Sequence, residues 1–220
     1  MGWVTTFINS SIGKKFVMAV TGILLILFLI IHLAGNLTLF FGENAFNTYV
    51  STLEIVKPVV RVIEVILALI FLFHIFNGFR LTIENKKANP RKYKVNASSK
   101  NSTFYSRTMF LSGSIVFIFL IMHISTLWYA FNFGTHTDQS YYEIVVEWFS
   151  DPFYSLFYVF AMVLLGFHLN HGFQSSFQTF GWNHKKYTPF IKKLGILYAI
   201  VTSIGFAAMP LYFLFFFKGN

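Results

Sequence analysis

His168 stands inside an apolar run, residues 152–174, that is long enough to cross about 30 Å of hydrocarbon as a helix. An ionisable side chain at such a depth is costly, and it marks function. The sequence around it, Phe167-His168-Leu169-Asn170-His171-Gly172-Phe173, has an echo in Phe73-His74-Ile75-Phe76-Asn77-Gly78-Phe79, again near the end of an apolar run. Two related helices that present one histidine each are therefore expected.

Four further runs are of similar kind, so the expected spans are residues 16–41, 58–79, 108–133, 152–174 and 190–217. With 55% hydrophobic residues, 11% charged residues and a mean hydropathy of +0.61, the chain reads as an all-α integral membrane protein, one membrane domain over residues 1–220. Pro58, Pro152 and Pro189 open or precede three of the runs, where a missing N–H does no harm. Pro210 lies inside the fifth and predicts a kink. The first run lacks a small-residue cleavage pattern and reads as a retained helix, not a signal peptide. Most of the 30 phenylalanines are read as lipid-facing bulk. The absence of cysteine excludes disulfides, thiolate metal sites and cysteine-held iron–sulfur clusters within this chain.

Basic residues gather on one face of this topology. Lys14 and Lys15 precede the first span; Arg80, Lys86, Lys87, Arg91, Lys92, Lys94, Lys100 and Arg107 lie between the second and third; Lys185, Lys186, Lys192 and Lys193 surround the start of the fifth. The opposite face holds Glu43, Glu54, Glu64, Asp138, Glu143, Glu147 and Asp151, with only Lys57, Arg61 and Lys218 as cations. The positive-inside rule makes the basic face, and the amino terminus, cytoplasmic in a bacterial-type inner membrane. The net charge of +9 could suggest nucleic acid, but the basic residues line one membrane face, which points to anionic lipid or a docked partner. The 82–107 link is long enough for a short docking element, and the outer 136–151 link reads as an interfacial amphipathic helix.

Five histidines fall in apolar runs: His32, His74, His123, His168 and His171. At 1.5 Å of rise per residue, His32 and His123 share a level roughly 23 Å from the inner boundary, while His74 and His168 share one roughly 10 Å from it. A single buried histidine serves as readily to hydrogen-bond one helix to another. Four on four successive helices, matched in depth two and two, suit two b-type haems, each iron held by imidazoles from opposite faces. His74 pairs with His168 at the inner level, and His32 with His123 at the outer. Zinc fits less well, because neither level offers a third acid or thiolate. His171 corresponds to Asn77 in the repeat, so a hydrogen-bonding role is expected for both. Gly78 and Gly172 would admit a haem edge or a neighbouring helix. Arg80 and Ser175 are candidate partners for inner haem propionates. His136 and His184 read as surface residues.

On these residues the chain resembles the five-helix, dihaem cytochrome b membrane subunit of succinate:quinone oxidoreductases, the succinate dehydrogenases and fumarate reductases. The resemblance takes in Ser10-Ser11-Ile12-Gly13-Lys14-Lys15, Met18-Ala19-Val20-Thr21-Gly22, the four histidines, the repeated Phe-His-x-x-x-Gly-Phe and Phe177-Gln178-Thr179-Phe180-Gly181-Trp182. It implies a flavoprotein subunit that carries the succinate or fumarate chemistry, an iron–sulfur subunit docked on the basic face, and a membrane quinone, commonly menaquinone. It also implies a quinone site near the outer haem, with an acid soon after the first helix. Glu54 occupies a comparable place, with Arg61 and Glu64 nearby, and quinone chemistry needs such groups because protons move with the electrons. Some fumarate reductases of this family carry a glutamate two residues before the fourth histidine; here that residue is Gly166, so a proton path through this helix is not expected. The rival readings are a dihaem cytochrome b of another membrane dehydrogenase and a non-redox transporter whose histidines relay protons.

Overall fold

A computed structural model describes residues 2–88, 103–134 and 139–217, and among them the regular structure is entirely helical. A short α1 (Trp3–Asn9) ends at Ser10, whose hydroxyl accepts from the Gly13 N–H at 3.0 Å and so caps α2 (Ser11–Asn36). A 3₁₀ segment, Leu37–Phe41, carries α2 to the opposite end, where α3 (Glu43–Ile55) leads into α4 (Lys57–Ala88). After α5 (Phe104–Arg107) comes α6 (Met109–His123), which continues through a π-helical turn, Ile124–Trp128, into α7 (Tyr129–Phe133). Then follow α8 (Tyr141–Ser150), α9 (Pro152–Thr179) and α10 (Thr188–Phe215). Among the described residues five rods are long and apolar enough to span: Ser11–Phe41, Lys57–Ala88, Met109–Phe133, Pro152–Thr179 and Thr188–Phe215. The chain is a multi-pass membrane protein.

Helix ends differ from the apolar runs in an instructive way. α4 runs on to Ala88, nine residues past Phe79, and α9 to Thr179. Polar side chains end the contact with hydrocarbon, but they do not end a helix, and Arg80, Glu84, Lys86 and Lys87 are good helix formers. The basic link is therefore partly helix; Arg91, Lys92, Lys94 and Lys100 lie outside the described residues, as do His136, Asp138 and Lys218. α10 continues through Pro210, which is fully buried.

The bundle is organised around α9, which packs on α10, α6 and α2, while α4 lies at the edge against α2 and buries only Asn77. At Gly166 α9 lies tight against α10. A Cβ there would collide with the Ser203 hydroxyl, which donates to the Met162 carbonyl at 2.8 Å. A small residue at a membrane-helix crossing lets the backbones approach, and the hydroxyl satisfies itself on the neighbouring helix. The same geometry leaves no room for an acid at this position.

The end opposite the basic face is closed by α3 and α8. The outer link does form a helix, but its apolar face, Tyr142, Ile144, Val145 and Phe149, is buried within the protein, with Phe149 stacked on Phe213 at 6.1 Å. Only Trp148 of its large apolar residues is turned substantially outward. Ser140 and Glu143 form a capping box at its start. At the α8–α9 corner the Asp151 carboxylate accepts from the Tyr154 N–H at 2.7 Å, and the Ser155 hydroxyl donates to the Phe149 carbonyl at 2.6 Å. The rest of the large apolar surface, including Val62, Ile66, Leu69, Leu72 and Phe76 of α4, faces outward, as lipid contact requires.

Gly166→Val is expected to overfill the α9–α10 crossing and to destabilise the protein by about 1–3 kcal/mol. Thermal unfolding in detergent checks this: the midpoint falls for Gly166→Val, whereas Gly172→Ala, where an added Cβ meets nothing within 4 Å, leaves it in place.

Candidate functional site

Two pairs of imidazoles face each other across helices. The rings of His74 on α4 and His168 on α9 have centroids 6.2 Å apart and planes at 68°. Those of His32 on α2 and His123 at the end of α6 are 5.8 Å apart at 86°. The pairs lie on two levels. His74 stands at the level of Thr21 and Gly22 on α2, and His168 at that of Gly113 on α6; His32 and His123 stand ten or eleven residues further along, about 15 Å of helix rise.

An imidazole nitrogen sits about 2 Å from a metal it ligates, so two rings on opposite sides of one ion have centres about 6 Å apart. Both observed separations fit that requirement. Rings that share one axial line are free to twist about it, so plane angles of 68° and 86° are equally compatible. Among the described residues no group of three or more His, Asp or Glu gathers at one point. A two-imidazole donor set is what an iron already held in a porphyrin plane asks for.

The walls of the two levels differ. Around the outer pair they are aromatic: Phe28 stacks on His32 at 5.0 Å, Phe206 lies 5.6 Å from it, and Phe119 and Tyr158 flank His123 at 5.6 and 6.3 Å. At the inner level small and hydroxyl residues predominate. A Cβ on Gly113 would press on the His168 ring at 3.2 Å, so that glycine makes room for the imidazole. Gly22 lies between His74 and the Ser176 hydroxyl, and the Thr21 hydroxyl is 3.1 Å from His74 Nδ1. The Nδ1 atoms of His123 and His168 are buried without a hydrogen-bond partner.

The other candidates drawn from the sequence separate into two groups by position. At the basic end, the Arg80 guanidinium donates to Glu84 at 3.1 Å and to the Asn9 side chain at 2.9 Å. Glu84 also receives the Lys14 ammonium at 2.6 Å, and the buried Asn77 amide donates to the Lys14 carbonyl at 2.7 Å. Asn77 is thus a helix-to-helix hydrogen-bonding residue. Ser175 accepts through its backbone carbonyl from Thr179, whereas the neighbouring Ser176 is the serine that looks toward Gly22 and His74. His171 is half-buried beyond the pair.

At the opposite end Glu54 is paired with Lys57 at 2.6 Å, apart from Arg61 and Glu64. Those two form one network with residues of the third span. Arg61 donates to Glu64 at 2.7 Å and to the Asn132 side chain at 2.6 Å; the Trp128 indole donates to the second Glu64 oxygen at 2.9 Å; and the Arg61 guanidinium lies 5.8 Å over the Trp128 ring. Trp128 closes the π-helical turn that begins directly after His123. Such turns re-aim side chains and concentrate at functional sites. Trp128 and Asn132 are not among the residues the sequence singles out, although their i, i+4 spacing at the end of an apolar run is a usable signal; the π turn that aims them leaves none.

A family model described as succinate dehydrogenase/fumarate reductase transmembrane subunit matches residues 16–100 and 85–208. No individual curated protein and no solved structure gives a match.

Lys14 is nearly buried, with Glu84 as its counter-charge. Glu84→Gln should therefore lower the thermal midpoint by leaving that ammonium unpaired, and Lys14→Met combined with Glu84→Gln should recover most of the loss. Unfolding of the two single variants and the double variant in detergent measures the coupling directly.

Proposed function

Because the chain belongs to the succinate dehydrogenase/fumarate reductase transmembrane-subunit family and is a membrane subunit of those oxidoreductase complexes, we propose that it binds two b-type haems and passes electrons between an iron–sulfur partner and a membrane quinone. The observation that carries this reading is the pair of cross-helix imidazole couples on two levels. His74 and His168 would hold the haem nearer the basic face, and His32 and His123 the other. Bound haem would supply reversible one-electron redox chemistry at these two levels.

The polypeptide supplies the positions. Gly113 leaves space for His168 to stand across from His74, and the π turn lets the third span bend its register just beyond His123. Phe28, Phe119, Phe206 and Tyr158 exclude water from the outer level. The basic end, with Lys86, Lys87, Arg107, Lys185, Lys186, Lys192 and Lys193, offers a cationic platform for the iron–sulfur and flavoprotein partners. By the positive-inside rule that end faces the cytoplasm of a bacterial-type membrane, and the succinate or fumarate chemistry stays on the flavoprotein.

A quinone takes up two electrons and two protons on becoming a quinol, so its site needs a group that handles protons. Glu64 meets that need better than Glu54. It is gathered with Arg61, Trp128 and Asn132 at the outer level, where guanidinium, indole and amide groups can orient a quinone oxygen and the carboxylate can take or give the proton. Glu54 has only its neighbour Lys57.

Two experiments test this. Reduced-minus-oxidised visible spectra should show two b-type haems, with His74→Ala and His123→Ala each losing a different one; a preparation devoid of haem refutes the reading. Glu64→Gln should retain both haems and lower quinone-linked turnover by about 100-fold or more, with Glu54→Gln close to wild type.

A further inference from the structure

Thr21 sits on α2, buried, well inside the capped amino-terminal end of that helix. Its hydroxyl oxygen is 2.8 Å from the Val17 carbonyl oxygen and 3.2 Å from that of Met18. Two oxygens approach to 2.8 Å only with a proton between them, and the sole proton available is that of the hydroxyl itself. Thr21 therefore donates back into its own helix, in the manner usual for a helical threonine. Its oxygen is left with lone pairs only, and one of them is 3.1 Å from His74 Nδ1.

That single contact determines the state of the ring. Nδ1 has nothing to accept from Thr21, so it must be the donor, and in the neutral imidazole the proton on Nδ1 leaves Nε2 with a free lone pair. We infer that Thr21 is a positioning residue that fixes the Nδ1–H tautomer of His74 and thereby turns its Nε2 into a ligand for the inner haem iron. The inference rests on the haem reading given above and deepens it. No other histidine of the four is held in this way. Asn36 gives one amide N–H to the His32 carbonyl at 2.8 Å, and the same nitrogen, which can only donate, stands 3.4 Å from His32 Nδ1 and offers that ring no acceptor; the Nδ1 atoms of His123 and His168 have no partner.

An acceptor on the far nitrogen makes an imidazole more basic, which strengthens its hold on iron and favours the ferric state. Thr21→Val keeps the shape and the β-branch but removes the acceptor, so the inner haem should be retained about 10-fold or more less tightly and its midpoint potential should move upward. The outer haem provides the control within the same molecule, and its potential should not move. Thr21→Ser, which keeps the oxygen, should behave as wild type. If Thr21→Val does not assemble, Thr21→Ala is read in its place.

The measurement is a redox titration followed by visible spectroscopy on the assembled complex, together with haem content after exposure to apomyoglobin as a haem acceptor. An inner-haem potential that is unchanged or lowered in Thr21→Val, with haem retention equal to wild type, overturns the inference. A wild-type protein without haem overturns the underlying reading instead, so the two failures are distinguishable.

Discussion

An imidazole placed in hydrocarbon has two nitrogens to satisfy and no water with which to satisfy them, and the architecture follows from that constraint. A lone histidine in a span would have to find a hydroxyl or a carbonyl on a neighbouring helix. Here four histidines stand in two couples, across α4 and α9 at one level and across α2 and α6 at the other, and two of their buried nitrogens, Nδ1 of His123 and of His168, have no hydrogen-bond partner. Each pair ties together two helices that are not consecutive in the chain. The order of the helices in the bundle is thus tied to the chemistry of the pairs, and a group that bridges both rings would stabilise the fold by the free energy with which it binds.

Much of this is legible in the sequence because the relevant signals are one-dimensional. Apolar length gives spans, and residue count from a span's end gives depth, which is enough to group His74 with His168 and His32 with His123. The apolar ends are nevertheless the wrong boundary for α4 and α9, since both helices continue through polar residues to Ala88 and Thr179. Both extensions run in the same direction, so they move the counted depths of His74 and His168 together. Between the first two expected spans, where no element is assigned from the sequence, stands α3, with Phe46 and Val50 buried at i, i+4 spacing. That periodicity is present and simply too short to stand out beside runs twice its length.

Less legible are properties that depend on which way a side chain turns. Arg80 is placed by sequence where it could meet a haem propionate, but it lies between Glu84 and Asn9 because α1 folds back beside the extended end of α4. Arg61 and Glu64 are recognisable as charges near a membrane boundary; that Trp128 and Asn132 join them follows from the π turn, which shifts the face presented by the end of the third span. Thr21 lies inside a family motif without announcing a role of its own. That role depends on a proton's location, set by one distance to its own helix and another to a different one.

The fifth long helix illustrates the same division from the other side. α10 contributes no histidine and nothing in its sequence announces chemistry, yet its contact with α9 is the most extensive in the bundle. Tyr198 donates to the Ile26 carbonyl at 3.0 Å and pins α10 to α2, Ser203 fills the notch at Gly166, and Phe206 presses on the His32 ring. Tyr198 and Phe206, about two turns apart, meet α2, whereas Ser203 lies about 140° around the helix from Tyr198 and meets α9, so α10 is wedged between the two and holds them at a fixed separation. Since α2 carries His32 and Thr21 while α9 carries His168, the helix without a ligand sets the spacing between the helices that have them. A rigid backing of this kind is what a precise two-ring geometry demands, because a displacement of a few tenths of an ångström in either helix would be shared directly by the rings.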